Sequence, residues 1–201
     1  MDYETILERA RAEAGAEFVA VFARDLAYEW CEVYEAMSCR ATNIVRFQCG
    51  MFEYLYDDYA SLERTGRVAY DPVMEARLVA VSGYSLFQEK ARDDFRLKGW
   101  VGATEKTFGR EWDKGHFIAH SIGGAVDRAE VNVFVQLRAL NRGWSSEGKR
   151  FREMEAYCET NRGTFCFNRP IYDDQTARPA FFEFGLIKRD GGLWMDRFAN
   201  H

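Results

Sequence analysis

The first third of the chain carries apolar residues at helical spacing. Over residues 3 to about 36 they recur every four positions, at Ile6, Ala10, Ala14, Phe18, Phe22 and Leu26. A second, aromatic run over 47–59 divides into an apolar and a polar side, which predicts a further helix packed in the core. Residues 1–65 are therefore predicted to form a helical N-terminal segment.

Beyond Arg67 the apolar stretches become shorter and resemble strands. Strands are predicted over 68–70 and 76–81, and a turn-rich region follows at about 99–109. A strand over 116–121 ends before two glycines, while 131–137 alternates apolar and polar residues. These two strands are predicted to pair through a glycine-bearing loop.

Helical spacing returns after the second of these strands. Residues 141–157 are predicted to form a helix with a solvated stretch at 145–152. The tail then gives strands over 164–167 and 180–187, with a break at Arg169-Pro170 between them. The order of helices and strands predicts an α+β chain with a mainly antiparallel sheet.

Length and composition favour one ordered domain. The 201 residues are 47% hydrophobic and 29% charged, with three prolines, which is typical of a globular protein. We expect a single domain over 1–201, with an α+β core over 66–201. No apolar run approaches the roughly 20 residues that span a bilayer, and the acidic start lacks the basic residues of a secretory signal. We therefore expect no membrane partner and a cytoplasmic protein as synthesised, with a specialised export route left open.

The five cysteines show neither a C-x-x-C pair nor a nearby histidine. Their odd number and irregular spacing disfavour both a zinc site and a full set of disulfides. We expect free thiols, mostly buried in the core.

The overall charge of −5 opposes binding to nucleic acid, but its distribution does not. Residues 1–64 hold 13 acids and 6 bases, whereas residues 98–152 hold 10 bases and 6 acids. Phosphate contacts come from Lys and Arg, so the second stretch suits a phosphate substrate.

Candidate chemistry lies in Asp113-Lys114-Gly115-His116 and in Asn141, which follows His116 by 25 residues. If the two strands pair and the next helix folds back across them, His116 and Asn141 converge on one face. This is the geometry of a ββα-metal motif, predicted here at about 112–158. A zinc pair of His116 and His120 is disfavoured, because the stretch is predicted to be a strand and lacks the H-E-x-x-H glutamate.

The stretch Asp113-Lys114-Gly115-His116 resembles the D-R-G-H signature of the DNA/RNA non-specific endonucleases, a family of the His-Me finger superfamily. Lys114 stands where that signature has arginine. The likeness continues through several spaced elements over about 107–187, namely Gly123-Gly124, Asn132, Gln136, Leu140-Asn141 and Arg169-Pro170-Ile171-Tyr172.

This resemblance implies one Mg²⁺, for which Mn²⁺ substitutes, held by Asn141 and otherwise by water, in keeping with the ion's preference for oxygen and hydration. His116 would be the general base that deprotonates the attacking water. Asp113 would orient the loop or the imidazole, and Lys114 would contact a phosphate. Taken alone, however, Asn141 is equally explained as a helix N-cap.

Other residues have second-rank roles. The family often uses a helix glutamate to hold a metal-bound water, and Glu153 is favoured here over Glu147 and Glu155. Asn132 and Gln136 would support the site by hydrogen bonds, or simply form a solvated strand face. Basic residues that would contact phosphates, or form only a soluble surface, are Arg110, Arg138, Arg142, Lys149, Arg150 and Arg152. Candidates for an arginine that stabilises the transition state are Arg77, Arg92, Arg96 and Arg110.

The resemblance therefore implies a sugar-non-specific endonuclease that hydrolyses phosphodiester bonds in DNA and RNA and leaves 5′-phosphate ends. One alternative is a catalytically inactive, nuclease-like binding or interaction protein, whose acidic helices over 1–64 recognise a protein partner. The Lys114 substitution favours this alternative. Another is the nuclease domain of a bacterial toxin, whose acidic N-terminal segment docks an immunity or carrier protein. A homodimer is also left open.

Overall fold

The structure is a computed structural model that describes residues 1–87, 104–125 and 129–201. Its helices are α1 (Tyr3–Ala14), α2 (Phe18–Ser38), α3 (Tyr59–Arg64), α4 (Thr104–Phe108), α5 (Ala129–Asn132), α6 (Arg138–Asn141) and α7 (Ser146–Thr160). Its strands are β1 (Ile44–Cys49), β2 (Phe52–Asp57), β3 (Arg77–Tyr84), β4 (Trp112–His116), β5 (Val133–Leu137), β6 (Phe165–Ile171), β7 (Phe181–Ile187) and β8 (Leu193–Ala199).

Within the described residues, six strands form an antiparallel sheet in the order β1-β2-β3-β6-β7-β8, and β4 pairs antiparallel with β5 beside it. The predicted α+β class, antiparallel sheet and N-terminal helix are confirmed. One face of the sheet is covered by α1 and α2. The other face packs against the β4–β5 pair and α7, through contacts such as Phe134 with Phe182 and Phe151 with Phe184.

The N-terminal helices follow the predicted apolar stripe. Asp2 caps α1 by accepting a hydrogen bond from the backbone N–H of Thr5 at 3.1 Å. The chain breaks at Gly15, whose φ of +54° ends α1 before α2 begins. Phe22 and Trp30 of α2 are buried against Phe167 of the sheet. The helical prediction for residues 3–36 is therefore confirmed, with one break.

The helix predicted over 47–59 is wrong, because most of this run forms the hairpin of β1 and β2. Gly50 takes a φ of +61° in the short turn between the strands. Phe52 and Tyr54 alternate into the core, and aromatic residues suit such a pleated, half-buried surface. The N-terminal segment 1–65 is consequently helical only in part.

Two further strand predictions differ from the structure. Residues 68–70 form no strand, although β3 contains most of the strand predicted at 76–81. The strand predicted over 116–121 is displaced, because β4 ends at His116. The strand prediction for 131–137 agrees with β5, and the helix predicted over 141–157 largely corresponds to α7.

The predicted break at Arg169-Pro170 is wrong, since β6 runs through both residues. Pairing of β6 with β3 ends at Asn168, so Pro170 has a neighbouring strand only on the β7 side. A proline is tolerated in a strand where its missing N–H faces no partner strand. The last strand, β8, was not predicted at all.

None of the helices in the described part of the chain is both long enough and apolar enough to cross a bilayer. All five cysteines are free, as expected. Only Cys158 and Cys166 are buried, however, while Cys39 is exposed. The expectation of mostly buried thiols is therefore wrong.

Candidate functional site

The motif Asp113-Lys114-Gly115-His116 lies on β4, paired with β5. Asp113 stands opposite Gln136, and His116 stands opposite Val133. Successive side chains of a strand point to opposite faces, which places Asp113 and Gly115 on one face and Lys114 and His116 on the other. The side chains of the motif therefore lie in two different environments, one on each face of β4.

Gly115 permits a close approach between the strands. A Cβ at this position would lie 1.9 Å from Oε1 of Gln136, so any larger residue would displace that side chain. Gln136 is only 1% exposed, and neither of its amide atoms has a hydrogen-bond partner in the part of the chain that is described. The residue expected to support the site is therefore a buried amide held by packing.

The chain immediately after His116 is fixed by two buried asparagines. Asn132 accepts from the N–H of Ile118 and donates to its carbonyl oxygen, both at 3.0 Å. Asn168 donates to the carbonyl oxygen of Phe117 at 2.8 Å. Asn132 was singled out from the sequence, but Asn168 was missed; a lone asparagine within the apolar run of β6 was the available signal.

Asp113 accepts hydrogen bonds from three side chains, two on α6 and one on the residue directly after it. Its carboxylate accepts from Nε of Arg138 at 2.9 Å, from Nε of Arg142 at 2.7 Å and from Nδ2 of Asn141 at 3.3 Å. Burial alone would raise the pKa of Asp113, but the hydrogen bonds from Arg142, Arg138 and Asn141 outweigh it and lower that pKa. Asp113 therefore orients α6 against β4.

The short helix α6 is also held from the side of α7. A Cβ on Gly148 would lie 2.6 Å from the carbonyl oxygen of Ala139 and 2.8 Å from that of Leu140, so only glycine lets the helices meet this closely. The N-cap of α7 is Ser145, whose Oγ accepts from the N–H of Gly148 at 3.0 Å. Asn141 is thus the last residue of α6 and does not cap α7.

Asn141 is the residue that the sequence predicts to hold a metal ion. Its Nδ2 donates to Asp113, which leaves Oδ1 as the atom able to meet a cation. Across residues 1–87, 104–125 and 129–201, no group of three or more His, Cys, Asp or Glu side chains is arranged to hold a metal. A hydrated Mg²⁺ needs only one or two protein oxygens, and the amide oxygen of Asn141 is of the kind that this ion binds.

Most of the cations predicted to contact phosphate already form ion pairs. Besides the two on Asp113, Arg152 pairs with Glu155 at 2.8 Å, and Arg110 pairs with Glu105 at 3.4 Å. Arg150 pairs with Asp196. Lys149 lies exposed on α7. Burial lowers the pKa of Lys114, which shares a strand face with His116.

The three helix glutamates have different surroundings. Glu153, the one favoured from the sequence, is exposed on α7, and Glu147 is half-buried in the first turn. Glu155 is buried, and burial raises its pKa to about 7, although Arg152 opposes the shift. Burial of this carboxyl was not expected, because the sequence gives Glu153 and Glu155 similar neighbours.

Among the arginines considered for the transition state, Arg77 is the buried one in the described residues. Its Nε donates to the Tyr34 hydroxyl at 2.9 Å, and its Nη1 donates to the carbonyl oxygen of Asp174 at 2.6 Å. The guanidinium lies 4.1 Å from the centre of the Tyr172 ring. Arg110 is 89% exposed, and both Arg92 and Arg96 lie outside the described residues.

A cavity of about 580 Å³ opens between the start of β3, α4 and the β4–β5 pair. Its lining residues include Arg77 and Tyr172, together with Val133 and Val135 of β5. Val133 stands opposite His116 in the strand pair, so the cavity lies beside the motif. The sequence did not indicate it, because its lining comes from segments more than 100 residues apart.

The comparisons with known proteins give little beyond this geometry. No family model matches the chain, and no curated protein matches it. Among solved structures it is similar to one described as "Structure of Sda1 nuclease with bound zinc ion", with a TM-score of 0.36 and 13% identity. That likeness covers 79% of this chain and 73% of the other. A likeness at this level says nothing about the reaction of the present chain.

Proposed function

We propose that this protein is a metal-dependent endonuclease that hydrolyses phosphodiester bonds in DNA and RNA. The observation that carries the proposal is the contact of Asn141 Nδ2 with the Asp113 carboxylate at 3.3 Å. This contact joins the helix after β5 to β4, the strand that ends in His116, and His116 itself lies three residues farther along on the opposite strand face. Two antiparallel strands followed by a helix are the order expected of a ββα-metal motif.

In this proposal His116 acts as the general base. A histidine exchanges protons near neutral pH, so its ring nitrogen can take a proton from the water that attacks phosphorus. The hydrogen bonds of Asn132 and Asn168 to residues 117–118 support this role, because they fix the backbone that follows the imidazole. Lys114 lies on the same strand face and would contact a phosphate oxygen.

Asn141 would hold a hydrated Mg²⁺ through Oδ1, with Mn²⁺ as a substitute. The bound ion would stabilise the charge that develops on the phosphate and on the leaving 3′ oxygen. Asp113 positions the ligand by accepting from its Nδ2, and it takes no part in the proton transfer. Glu153 is retained as the second-rank candidate for holding a metal-bound water.

The test compares cleavage of supercoiled plasmid and of structured RNA by the wild type, His116→Ala and His201→Ala. His201 is a matched control because it lies at the C-terminus, beside Phe181. With Mg²⁺ or Mn²⁺ the wild type and His201→Ala should cut, and EDTA should abolish cutting. Loss of a general base typically lowers the rate by about 10²–10⁴-fold, which is the loss expected for His116→Ala. Undiminished cutting by His116→Ala would overturn the mechanism.

A second candidate is a nuclease-like protein that binds nucleic acid without cutting it. The placement of Asn141 favours it, because Asn141 contacts Asp113, whose side chain lies on the strand face opposite that of His116. This candidate predicts that the wild type retains RNA in a filter-binding assay, yet leaves plasmid intact with either metal. Cutting under the same conditions would exclude it.

The N-terminal helices carry the proposal for a protein partner. Acidic residues lie exposed on α1, at the turn after it and on α2, namely Glu4, Glu8, Glu13, Glu17, Glu32 and Glu35. If the nuclease is a toxin domain that leaves its cell by a specialised route, this surface would dock an immunity or carrier protein with a basic face. Isolation of a stable complex is the measurement that tests this partner.

A further inference from the structure

The cavity beside the β4–β5 pair has the chemistry of a nucleobase site. Its volume of about 580 Å³ falls within the range of about 300–1,000 Å³ that is usual for small-molecule sites. We propose that it binds the base of a nucleotide whose phosphate lies at His116, an inference that rests on the proposed nuclease function. The base must then leave its stack, so the site favours unpaired nucleic acid.

The walls suit a flat aromatic ring. Tyr56 and Phe108 line the cavity together with Phe117, the residue directly after His116. Val133 and Val135 of β5 add an aliphatic side. A base stacks on aromatic side chains whatever its identity, because every base has a π face. Such walls therefore bind a base without requiring one sequence.

Two guanidinium groups give the cavity its polar contacts. Arg77 is held rigidly by Tyr34, by two backbone carbonyl oxygens and by the face of Tyr172. Arg178 lies over the Trp112 ring at 5.2 Å and has no ion pair in the described part of the chain. A planar guanidinium donates to the oxygen and nitrogen acceptors on base edges.

The acidic residues that line the cavity accept hydrogen bonds from backbone N–H groups. Glu75 Oε2 accepts from the N–H of Ala177 at 2.5 Å, and Asp174 Oδ1 accepts from the N–H of Thr176 at 2.8 Å. Both carboxylates therefore shape the loop that carries Arg178. Their negative charges remain and offset those of Arg77 and Arg178, so the cavity suits an uncharged base better than a phosphate.

The cavity lies within reach of the proposed reaction centre. Val133 stands opposite His116, and directly opposed side chains have Cβ atoms about 4.5–5.5 Å apart. A phosphate at His116 therefore places its own sugar and base at the cavity mouth. A base in a duplex is stacked and paired, and it enters such a pocket only by flipping out.

The test measures binding of three probes to the full chain by calorimetry in EDTA, where no metal-dependent cleavage occurs. Adenosine 5′-monophosphate, adenosine and ribose 5-phosphate separate the contribution of the base from that of the phosphate. Ala177→Trp fills the cavity, and Arg178→Ala removes its exposed cation. Arg197→Ala is the matched control, since Arg197 also lies over an aromatic ring, Phe181 at 4.2 Å, but does not line the cavity.

We expect the monophosphate and adenosine to bind, and ribose 5-phosphate to bind at least tenfold more weakly. Ala177→Trp should weaken monophosphate binding at least tenfold and Arg178→Ala about threefold, while Arg197→Ala should match the wild type. Thermal melting of each variant identifies any that is unfolded, and Arg178→Ala decides if Ala177→Trp fails to fold. Absence of binding, or equal binding of ribose 5-phosphate, overturns the inference.

Failure of the nuclease proposal gives a different result. If the wild type binds adenosine but cuts neither plasmid nor RNA, the base site is supported and the nuclease proposal fails. If the wild type cuts nucleic acid but binds none of the probes, the base site is overturned and the nuclease proposal stands. If both hold, a single-stranded oligonucleotide should be cut faster than its duplex, and Ala177→Trp should reduce that preference.

Discussion

The two faces of the six-stranded sheet treat polar groups in different ways. Beneath α1 and α2 the buried charges are paired: Asp57 accepts from Arg40 and from the Tyr34 hydroxyl, and Glu183 accepts from Arg169. Toward the β4–β5 pair, the described residues include buried atoms without hydrogen-bond partners. They are both amide atoms of Gln136, Oδ1 of Asn168 and Nε2 of His120. One further such atom, Oε1 of Gln175, belongs to a side chain that donates to the carbonyl oxygen of Ser38 at the end of α2.

This contrast suggests that one face of the sheet mainly stabilises the fold, whereas the other keeps groups for the proposed reaction. Unsatisfied buried polar groups are few in folded proteins, and each lowers stability unless it has another use. Three such side chains, those of Gln136, Asn168 and His120, lie on β5, on β6 and shortly after β4, near the motif but not in the lining of the cavity. The helical face therefore fixes the sheet, while the opposite face keeps polar atoms and open volume where the proposed reaction would occur.

The largest change in the free energy of unfolding should come from removing a buried ion pair beneath α1 and α2. Asp57→Ala leaves Arg40 buried without its carboxylate, and loss of one partner from a buried ion pair costs about 3–5 kcal/mol. Urea denaturation should show this loss in the free energy of unfolding. Glu13→Ala is the control, because its pair with Arg24 is exposed and should contribute less than about 1 kcal/mol. Equal losses in the two variants would contradict the contrast between the faces.

The parts of the fold that were predictable depend on local periodicity. The apolar stripe of α1 and α2 and the alternation of β5 are visible in the sequence because each element buries one face. The aromatic run at 47–59 fits both periods, and only pairing of β2 with β3 decides for a strand. The end of β4 at His116 is likewise decided by distant residues, because Asn132 and Asn168 donate hydrogen bonds to the backbone that follows it.

The candidate site was predictable in its motif and less so in its contacts. The sequence predicted that His116 and Asn141 converge on one face, whereas the structure brings Asn141 to Asp113, whose side chain lies on the opposite strand face from His116. It did not indicate that Arg138 and Arg142 share the Asp113 carboxylate, because α6 as a separate helical turn was not foreseen. Nor does local sequence relate Arg77 to Tyr34, whose contact joins distant segments.

A smaller effect is expected from Glu155 of α7, on the sheet face that packs against the β4–β5 pair. Burial raises the pKa of Glu155 to about 7, above its value of 4.5 in the unfolded chain. The folded state therefore holds its proton more tightly, and stability present below pH 4.5 is lost as pH rises toward 7. Glu155→Gln should remove this dependence and stabilise the protein by about 2 kcal/mol at pH 8, with little change at pH 4. Urea unfolding at both pH values measures it, and an equal change at both would contradict it.

Asp113→Asn should have a still smaller effect, with the opposite dependence on pH. Hydrogen bonds lower the pKa of Asp113 below 3.8, so its contribution is present above that pH and is lost as pH falls through the lower folded-state value. Because Arg142 is half exposed, we expect a loss of only about 1 kcal/mol at pH 7, shrinking toward pH 2. Glu105→Gln, which breaks the exposed pair with Arg110, is the control and should change the free energy of unfolding less. A loss that grows on acidification would contradict the assigned ion pairs.

The smallest change in stability should follow Gln136→Leu. Leucine nearly keeps the volume of the side chain and removes two buried atoms that have no partner in the described residues, so the variant should be unchanged or up to about 1 kcal/mol more stable. Asn132→Leu is the contrasting variant, because it leaves two carbonyl oxygens and one N–H without their partner and should be destabilised by about 1–3 kcal/mol. If Gln136→Leu is more stable yet cuts nucleic acid more slowly, its amide is kept for the reaction at a cost in stability. If it is as destabilised as Asn132→Leu, Gln136 has partners in the folded protein, and the contrast between the two faces of the sheet fails at its central residue.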